Sequence, residues 1–172
     1  MELRARTDAD LDGCVEMARV VHQLDGYPVH LPRDFRAFIA SSDAIGAWVA
    51  ERHGALVGHV ALHRRAASEV MALAGHYVKR PSNGLGVVAR LLVSPHARRE
   101  GVGRSLLQKA SDECATRGLS PILDVVTSHR AAIKLYEASG WVCAGEVISH
   151  FDDGTSLHEF VYVLPPPHSD RP

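Results

Sequence analysis

LLVSPHARREGVGRSLL, residues 91–107, decides how this chain is to be folded. It opens as an apolar run, Leu91-Leu92-Val93, which Pro95 stops. Arg98 and Arg99 follow, then Gly101, Val102 and Gly103, then Arg104 and Ser105. From Val102 the apolar residues recur at helical spacing through Leu106, Leu107, Ala110 and Cys114. A strand therefore hands over to a helix through a bare, positively charged turn. The start of a helix exposes unpaired N–H groups and carries about half a positive charge. Glycine lets a ligand approach the backbone, and the planar fork of arginine matches phosphate oxygens. Together these features make an anion site suited to a diphosphate. The competing reading is a glycine-rich helix start whose arginines face water. The stretch lacks the Gly-Lys-Ser/Thr of a P-loop and the third glycine of a dinucleotide fingerprint.

Working outward, LGVVARLLV (85–93) is apolar enough for a central strand covered on both faces. The helix that follows should end at Arg117-Gly118, PILDVV (121–126) reads as a strand, and 129–139 as a helix stopped by Gly140. WVCAGEVI (141–148) and LHEFVYVL (157–164) form two strands around the turn Asp152-Asp153-Gly154. Upstream, 2–6 is a short strand, Thr7 with Asp10 a capping pair, and 8–24 an amphipathic helix. DGYPVHLP (25–32) is a loop, with a short helix after it through Phe35, Phe38 and Ile39. Residues 44–64 form a hairpin turning at His53-Gly54. Residues 65–84 carry the weakest signal, one helical turn around Met71 and then a polar loop. The order predicts a mixed sheet with helices on both faces.

The chain has 172 residues, 46% apolar and 23% charged, which suits one soluble domain. We expect that domain over 1–165 and a solvated tail over 166–172. With 19 basic and 20 acidic residues the formal charge is −1, which argues against a general grip on nucleic acid. Cys14, Cys114 and Cys143 lie far apart among apolar neighbours, as buried free thiols of a reducing, cytoplasmic compartment do. No apolar run opens the chain or approaches a membrane span, so neither a leader nor membrane insertion is expected. His59 and His63 lie on one face of a strand, roughly 13 Å apart, which is too far for a shared ion. No metal is expected.

The quoted stretch resembles the acetyl-coenzyme A signature of the GCN5-related N-acetyltransferase (GNAT) family, Arg/Gln-x-x-Gly-x-Gly/Ala after Leu-x-Val-x-Pro. Arg98-Arg99-Glu100-Gly101-Val102-Gly103 and Leu91-Leu92-Val93-Ser94-Pro95 match it. LDVVTSHRAAIKLYEASGW (123–141) is similar to a second family element, with Ala132, Leu135-Tyr136 and Gly140-Trp141 in register. The resemblance implies an α/β fold with a central, mostly antiparallel sheet, a splayed parallel strand pair (87–93 and 121–126) and helices on both faces. It implies acetyl-coenzyme A as co-substrate. The pantetheine arm would lie along Leu91, Leu92 and Val93, and the diphosphate on the N–H groups from Arg99 through Gly101, Val102, Gly103 and Arg104 to Ser105, with Arg98 supplying charge.

By the same resemblance Tyr136 is the general acid for the leaving thiolate, and the N–H of Val93 is a donor to the developing oxyanion. Asp124 aligns with a glutamate that acts as base in the family's ribosomal-protein alanine acetyltransferases; His59, His63 and Glu51 are the other base candidates. His129 stands where the family has an asparagine that bonds the pantetheine arm, and Ser128 is expected to cap the helix there. DGYPVHLP, with Tyr27, and SHFDDGTSLH, with Asp152 and Asp153, would face the acceptor. Arg64, Arg65, Lys79 and Arg80 either greet an acidic acceptor or are solvated. The acceptor is then an amine of a small molecule or a free amino terminus. Protein lysine acetylation and a non-catalytic acyl-coenzyme A sensor are the alternatives, and a homodimer stays open.

Overall fold

A computed structural model describes residues 1–30, 32–150 and 154–166. β1 (Glu2–Ala5) leads through a single 3-10 turn into α1 (Leu11–Asp25) and α2 (Phe35–Ile39). β2 (Ala44–Arg52) and β3 (Ala55–His63) follow, then α3 (Ser68–Val78) and β4 (Leu85–Val93). α4 (Val102–Thr116), β5 (Ser120–Val126), α5 (Arg130–Ala138), β6 (Val142–His150) and β7 (Ser156–Val163) complete the order. The seven strands hydrogen-bond in the sequence β1-β2-β3-β4-β5-β7-β6. β4 and β5 run parallel, pairing Leu85–Val87 with Ser120–Ile122. β1/β2, β2/β3, β5/β7 and β6/β7 are antiparallel. The expected mixed sheet is therefore present.

The chain divides into two compact units, Met1–His63 with Val88–Glu113, and Arg64–Val87 with the described residues from Cys114 onward. In the first, α1 presents Leu11, Cys14, Met17, Ala18 and Val21 to a core shared with Phe35, Ile39, Val49 and Leu92. The carboxylate of Asp10 accepts the Thr7 N–H at 2.7 Å, as the sequence suggested, and takes both ends of the Arg4 guanidinium. Arg4 and the cap hold that carboxyl well below its usual range. His53 (φ 52°) and Gly54 (φ 76°) both sit in the left-handed region, which a two-residue hairpin turn requires.

Gly58 settles how closely α4 approaches β3. A Cβ there would stand 2.6 Å from a methyl of Leu106, 3.0 Å from Val102 and 3.1 Å from the Leu92 carbonyl oxygen. Gly58→Ala is expected to lower stability by about 1–3 kcal/mol through overpacking. Urea unfolding reads the effect; an unmoved midpoint would show that α4 yields without penalty.

In the second unit, Val70, Met71 and Ala74 of α3 pack on Leu85, Val87, Ile122, Val161 and Val163. Here the structure departs from the sequence reading, since residues 68–78 form an 11-residue helix rather than one turn. Glu69, Met71, Ala72, Leu73 and Ala74 are all good helix formers. Five apolar residues in a row, Val70 to Ala74, blur the 3.6-residue period that would have revealed them. On the opposite face of β7, Tyr162 meets Tyr136 of α5, their ring centroids 6.0 Å apart. Cys14 and Cys114 are buried, and burial pushes their thiols up, to about 11 and about 12. Cys143 corrects the expectation: it is free but exposed, because β6 is the outer strand of the sheet.

No helix among the described residues is long and apolar enough to cross a membrane. Asp152, Asp153 and most of the expected tail lie outside the described residues.

Candidate active site

The turn that opened the reading is built as the residues suggest. Pro95–Ala97 makes a 3-10 turn after β4, and Ala97 is buried. Arg99 (φ 65°) and Gly101 (φ 83°) then adopt left-handed backbone two residues apart. Left-handed steps before a helix turn successive N–H groups into a concave anion cradle. Ser105 N–H bonds the Gly101 carbonyl at 3.0 Å, closing the first turn of α4. No atom beyond its chain neighbours lies within 4 Å of the Cβ position at Gly101, so the space in front of that backbone is open. A phosphate group fits this cradle.

Arg98 grips Asp25 through both nitrogens, at 3.1 and 2.5 Å. Its charge is partly answered by the protein itself. Glu100 pairs with Arg52, and Arg99 is exposed.

β4 itself carries a left-handed residue that no local sequence signal marks, Arg90 at φ 54°. A fully buried histidine fixes it. His59 Nδ1 lies 2.9 Å from the Arg90 carbonyl oxygen, and its Nε2 lies 3.2 Å from Arg6 Nη1. A carbonyl only accepts, so Nδ1 carries the proton and Nε2 takes one from Arg6. Burial pushes this imidazole down to about 4. Arg6 also donates to the Ile39 carbonyl at 2.6 Å, and Arg90 Nε to that of Phe38 at 3.2 Å. The two arginines thus close the end of α2, with Arg90 3.8 Å over the Phe38 ring.

Both nitrogens of His59 are engaged, which suits a structural role better than that of a base. Glu51 is held by two N–H groups of Arg4. His63 is buried with Nε2 lacking a hydrogen-bond partner among the described residues. Burial, then the charge of Arg90, pushes it down to about 4. No group of three metal-binding side chains occurs among the described residues. Leu92 is buried in the α1–α2 core, while Leu91 and Val93 are half-buried.

In the second unit Tyr136 is 8% exposed and packs on Trp141 and Tyr162, at centroid distances of 6.4 and 6.0 Å. His129, not Ser128, is the residue before α5, and no side chain caps that helix. The chain turns into α5 on the His129 N–H, which reaches the Val126 carbonyl at 2.9 Å. Tyr27, by contrast, belongs to the first unit and packs edge-on against Phe38 at 6.2 Å. Arg80 gives one N–H to the Gly118 carbonyl at 2.7 Å, so it also has a structural use.

Asp124 is half-buried on β5 and has a neighbour that sequence reasoning passed over. Glu159 of β7 is 6% exposed, and Ser149 of β6 is fully buried. Ser149 Oγ donates to Glu159 Oε2 at 2.5 Å, and Glu159 also hydrogen-bonds the Asp124 carboxyl. Burial first, then the charge of Asp124, pushes the Glu159 carboxyl up to about 7. One signal was available in the sequence. Glu159 shares the strand parity of Val161 and Val163, so it breaks an apolar face.

The profile of the Acetyltransferase (GNAT) family matches residues 16–141, and the chain belongs to that family. A stretch of 52 residues is 42% identical to the [Ribosomal protein bS18]-alanine N-acetyltransferase of Escherichia coli strain K12, covering 30% of this chain and 35% of that protein. The match thus spans about a third of the relative's length. Among solved structures, the ribosomal-protein-S18-alanine N-acetyltransferase from Escherichia coli superposes with a TM-score of 0.67 at 18% identity, covering 99% of this chain and 98% of that one. The yncA protein of Salmonella typhimurium, solved with its cofactor acetyl-CoA, gives a TM-score of 0.72 at 17% identity, over 100% and 97%. These likenesses establish the fold.

Proposed function

We propose that the protein is an acetyl-coenzyme A-dependent N-acetyltransferase whose acceptor is an amine of a small molecule or a free amino terminus. The observation that carries this reading is the cradle from Arg99 to Ser105, open before Gly101 and standing at the head of a 15-residue helix. The matched stretch of the alanine N-acetyltransferase supports an amino terminus as acceptor.

The co-substrate supplies an activated thioester. The residues of this chain do the rest. The N–H groups of the turn hold the diphosphate, with Arg98, Arg99 and Arg104 adding charge. Leu91, Leu92 and Val93 offer backbone groups to the pantetheine arm, and His129 offers a ring N–H. The acceptor reaches the enzyme as an ammonium ion and must lose a proton, which Asp124 takes. The nitrogen lone pair then forms the N–C bond as the C–S bond breaks. Sulfur leaves with the proton of the Tyr136 hydroxyl, and the second nitrogen proton restores that hydroxyl. A Val93 N–H directed at the developing oxyanion would stabilise it.

The test is a panel of small amines, amino-terminal peptides and lysine peptides incubated with acetyl-coenzyme A, following free thiol and product mass. Acceptor-dependent thiol release with an α-amine or small amine is the expected result. Tight cofactor binding by calorimetry without transfer to any amine would replace the enzyme with an acyl-coenzyme A sensor, and preference for lysine side chains would move the acceptor class.

A further inference from the structure

Three strands of the second unit place three polar side chains in one diagonal row. Asp124 of β5 faces Val161 of β7, and Glu159 of β7 faces Val126 of β5, so the two carboxyls are diagonal neighbours on the same face. Ser149 of β6 faces Leu157 while Glu159 faces Val147, which continues the diagonal on the other side. This is the face that α3 covers with Val70, Met71 and Ala74. The row runs from a half-buried end, Asp124, through the buried Glu159 to the buried Ser149. Two carboxylates side by side on an apolar sheet face repel and lose hydration, and a shared proton relieves both. Structure alone would be served better by valine at 159, the residue type at 161 and 163.

We propose that Asp124 and Glu159 act as one proton-holding pair, in which Asp124 takes the acceptor's proton and Glu159 is the positioning residue that sets the strength of the base. This rests on the acetyltransferase reading and names a residue that reading did not contain. With one proton between them the O–H of Glu159 bonds the Asp124 carboxylate. When that proton leaves to solvent the pair carries two negative charges. It then takes one proton from the ammonium N–H, whose electron pair stays on nitrogen for attack. A lone aspartate, titrating near 3.9, is too weak to compete for an ammonium proton; a pair that releases its last proton near neutrality is matched to the task. Ser149 donates to Glu159 and so favours its charged form, which keeps the pair from holding its proton too long.

The other charged groups around Glu159 leave this assignment intact. β5 contributes Asp124. From α3 come Glu69, whose carboxylate bonds the Ser68 hydroxyl at 2.9 Å, and the exposed His76. From β6 come Glu146, which faces Phe160 on the opposite side of the sheet and pairs with His158, and the exposed His150.

The experiment follows kcat against pH at saturating acceptor in wild type, Glu159→Gln and Ser149→Ala, alongside a carbon-13 carboxyl titration of the intact protein. The expected results have opposite signs. Glu159→Gln should move the acid limb to lower pH by at least about one unit, tenfold in proton concentration, toward the range of a lone aspartate. Ser149→Ala should move it to higher pH, because the hydroxyl that favours ionised Glu159 is gone. Thermal unfolding guards against misfolding. A carboxyl whose folded pKa is raised stabilises the fold below about 4.5 and loses that contribution as pH rises through about 7. Glu159→Gln should therefore gain stability relative to wild type above pH 7. Acid limbs that coincide in all three proteins, or a carboxyl titration showing Glu159 ionising in the ordinary range, overturn the pair. An absence of transfer in wild type overturns the acetyltransferase reading itself and with it the catalytic use of the pair, and the carboxyl titration then shows whether the proton is shared.

Discussion

Tyr136→Phe is expected to lower kcat by roughly 10²–10⁴-fold, the usual contribution of a positioned acid, while acetyl-coenzyme A binds about as tightly as before. Tyr136 is almost wholly buried, and phenylalanine keeps its ring contacts with Trp141 and Tyr162. What is removed is one O–H. Without it the thiolate departs unprotonated, so the defect should fall on the step that breaks the C–S bond. Leaving groups of lower basicity should suffer less. Stopped-flow detection of thiol and calorimetry of cofactor binding separate the two effects. Unaltered turnover would reduce Tyr136 to a packing aromatic.

Gly101→Asp should abolish measurable binding of acetyl-coenzyme A. Two effects compound. The backbone at φ 83° is strained for any residue with a Cβ, by about 1–2 kcal/mol. A carboxylate would also enter the cradle of N–H groups and meet a diphosphate bound there with like charge. Gly101→Ala separates them, because its Cβ meets no other atom within 4 Å. Alanine should show the strain alone, as a modest loss of stability with cofactor binding largely kept. Equal affinity of wild type and the aspartate variant, measured by calorimetry, would remove the diphosphate from this turn.

How much was legible in the sequence depended on how local the signal was. The His53-Gly54 turn, the caps at Gly118 and Gly140 and the helix from Val102 are set by residues within a turn of one another, and each was readable. α3 was not, since Val70 to Ala74 are apolar in succession and only packing on Ile122 and Val161 selects the inward face. The turn from Arg98 to Ser105 was legible because glycine at a left-handed position is a strong mark. Arg90 carries no such mark, and its conformation depends on a histidine 31 residues away in sequence. Glu159 is an intermediate case. Its parity on β7 was visible, but its closeness to Asp124 depends on β7 lying between β5 and β6. That order is a property of the whole sheet.

The buried histidine behind β4 makes the strand answer to acidity. Unfolded, His59 would accept a proton at its ordinary value of 6.5; folded, it resists until about 4. Between those values unfolding takes up a proton, so the support that His59 gives to the left-handed step at Arg90 drains away as the medium acidifies. A doubly protonated ring could no longer receive the Arg6 N–H, and the two cations would push apart. The left-handed step at Arg90 is thus held in place at neutral pH by a ring that must stay uncharged.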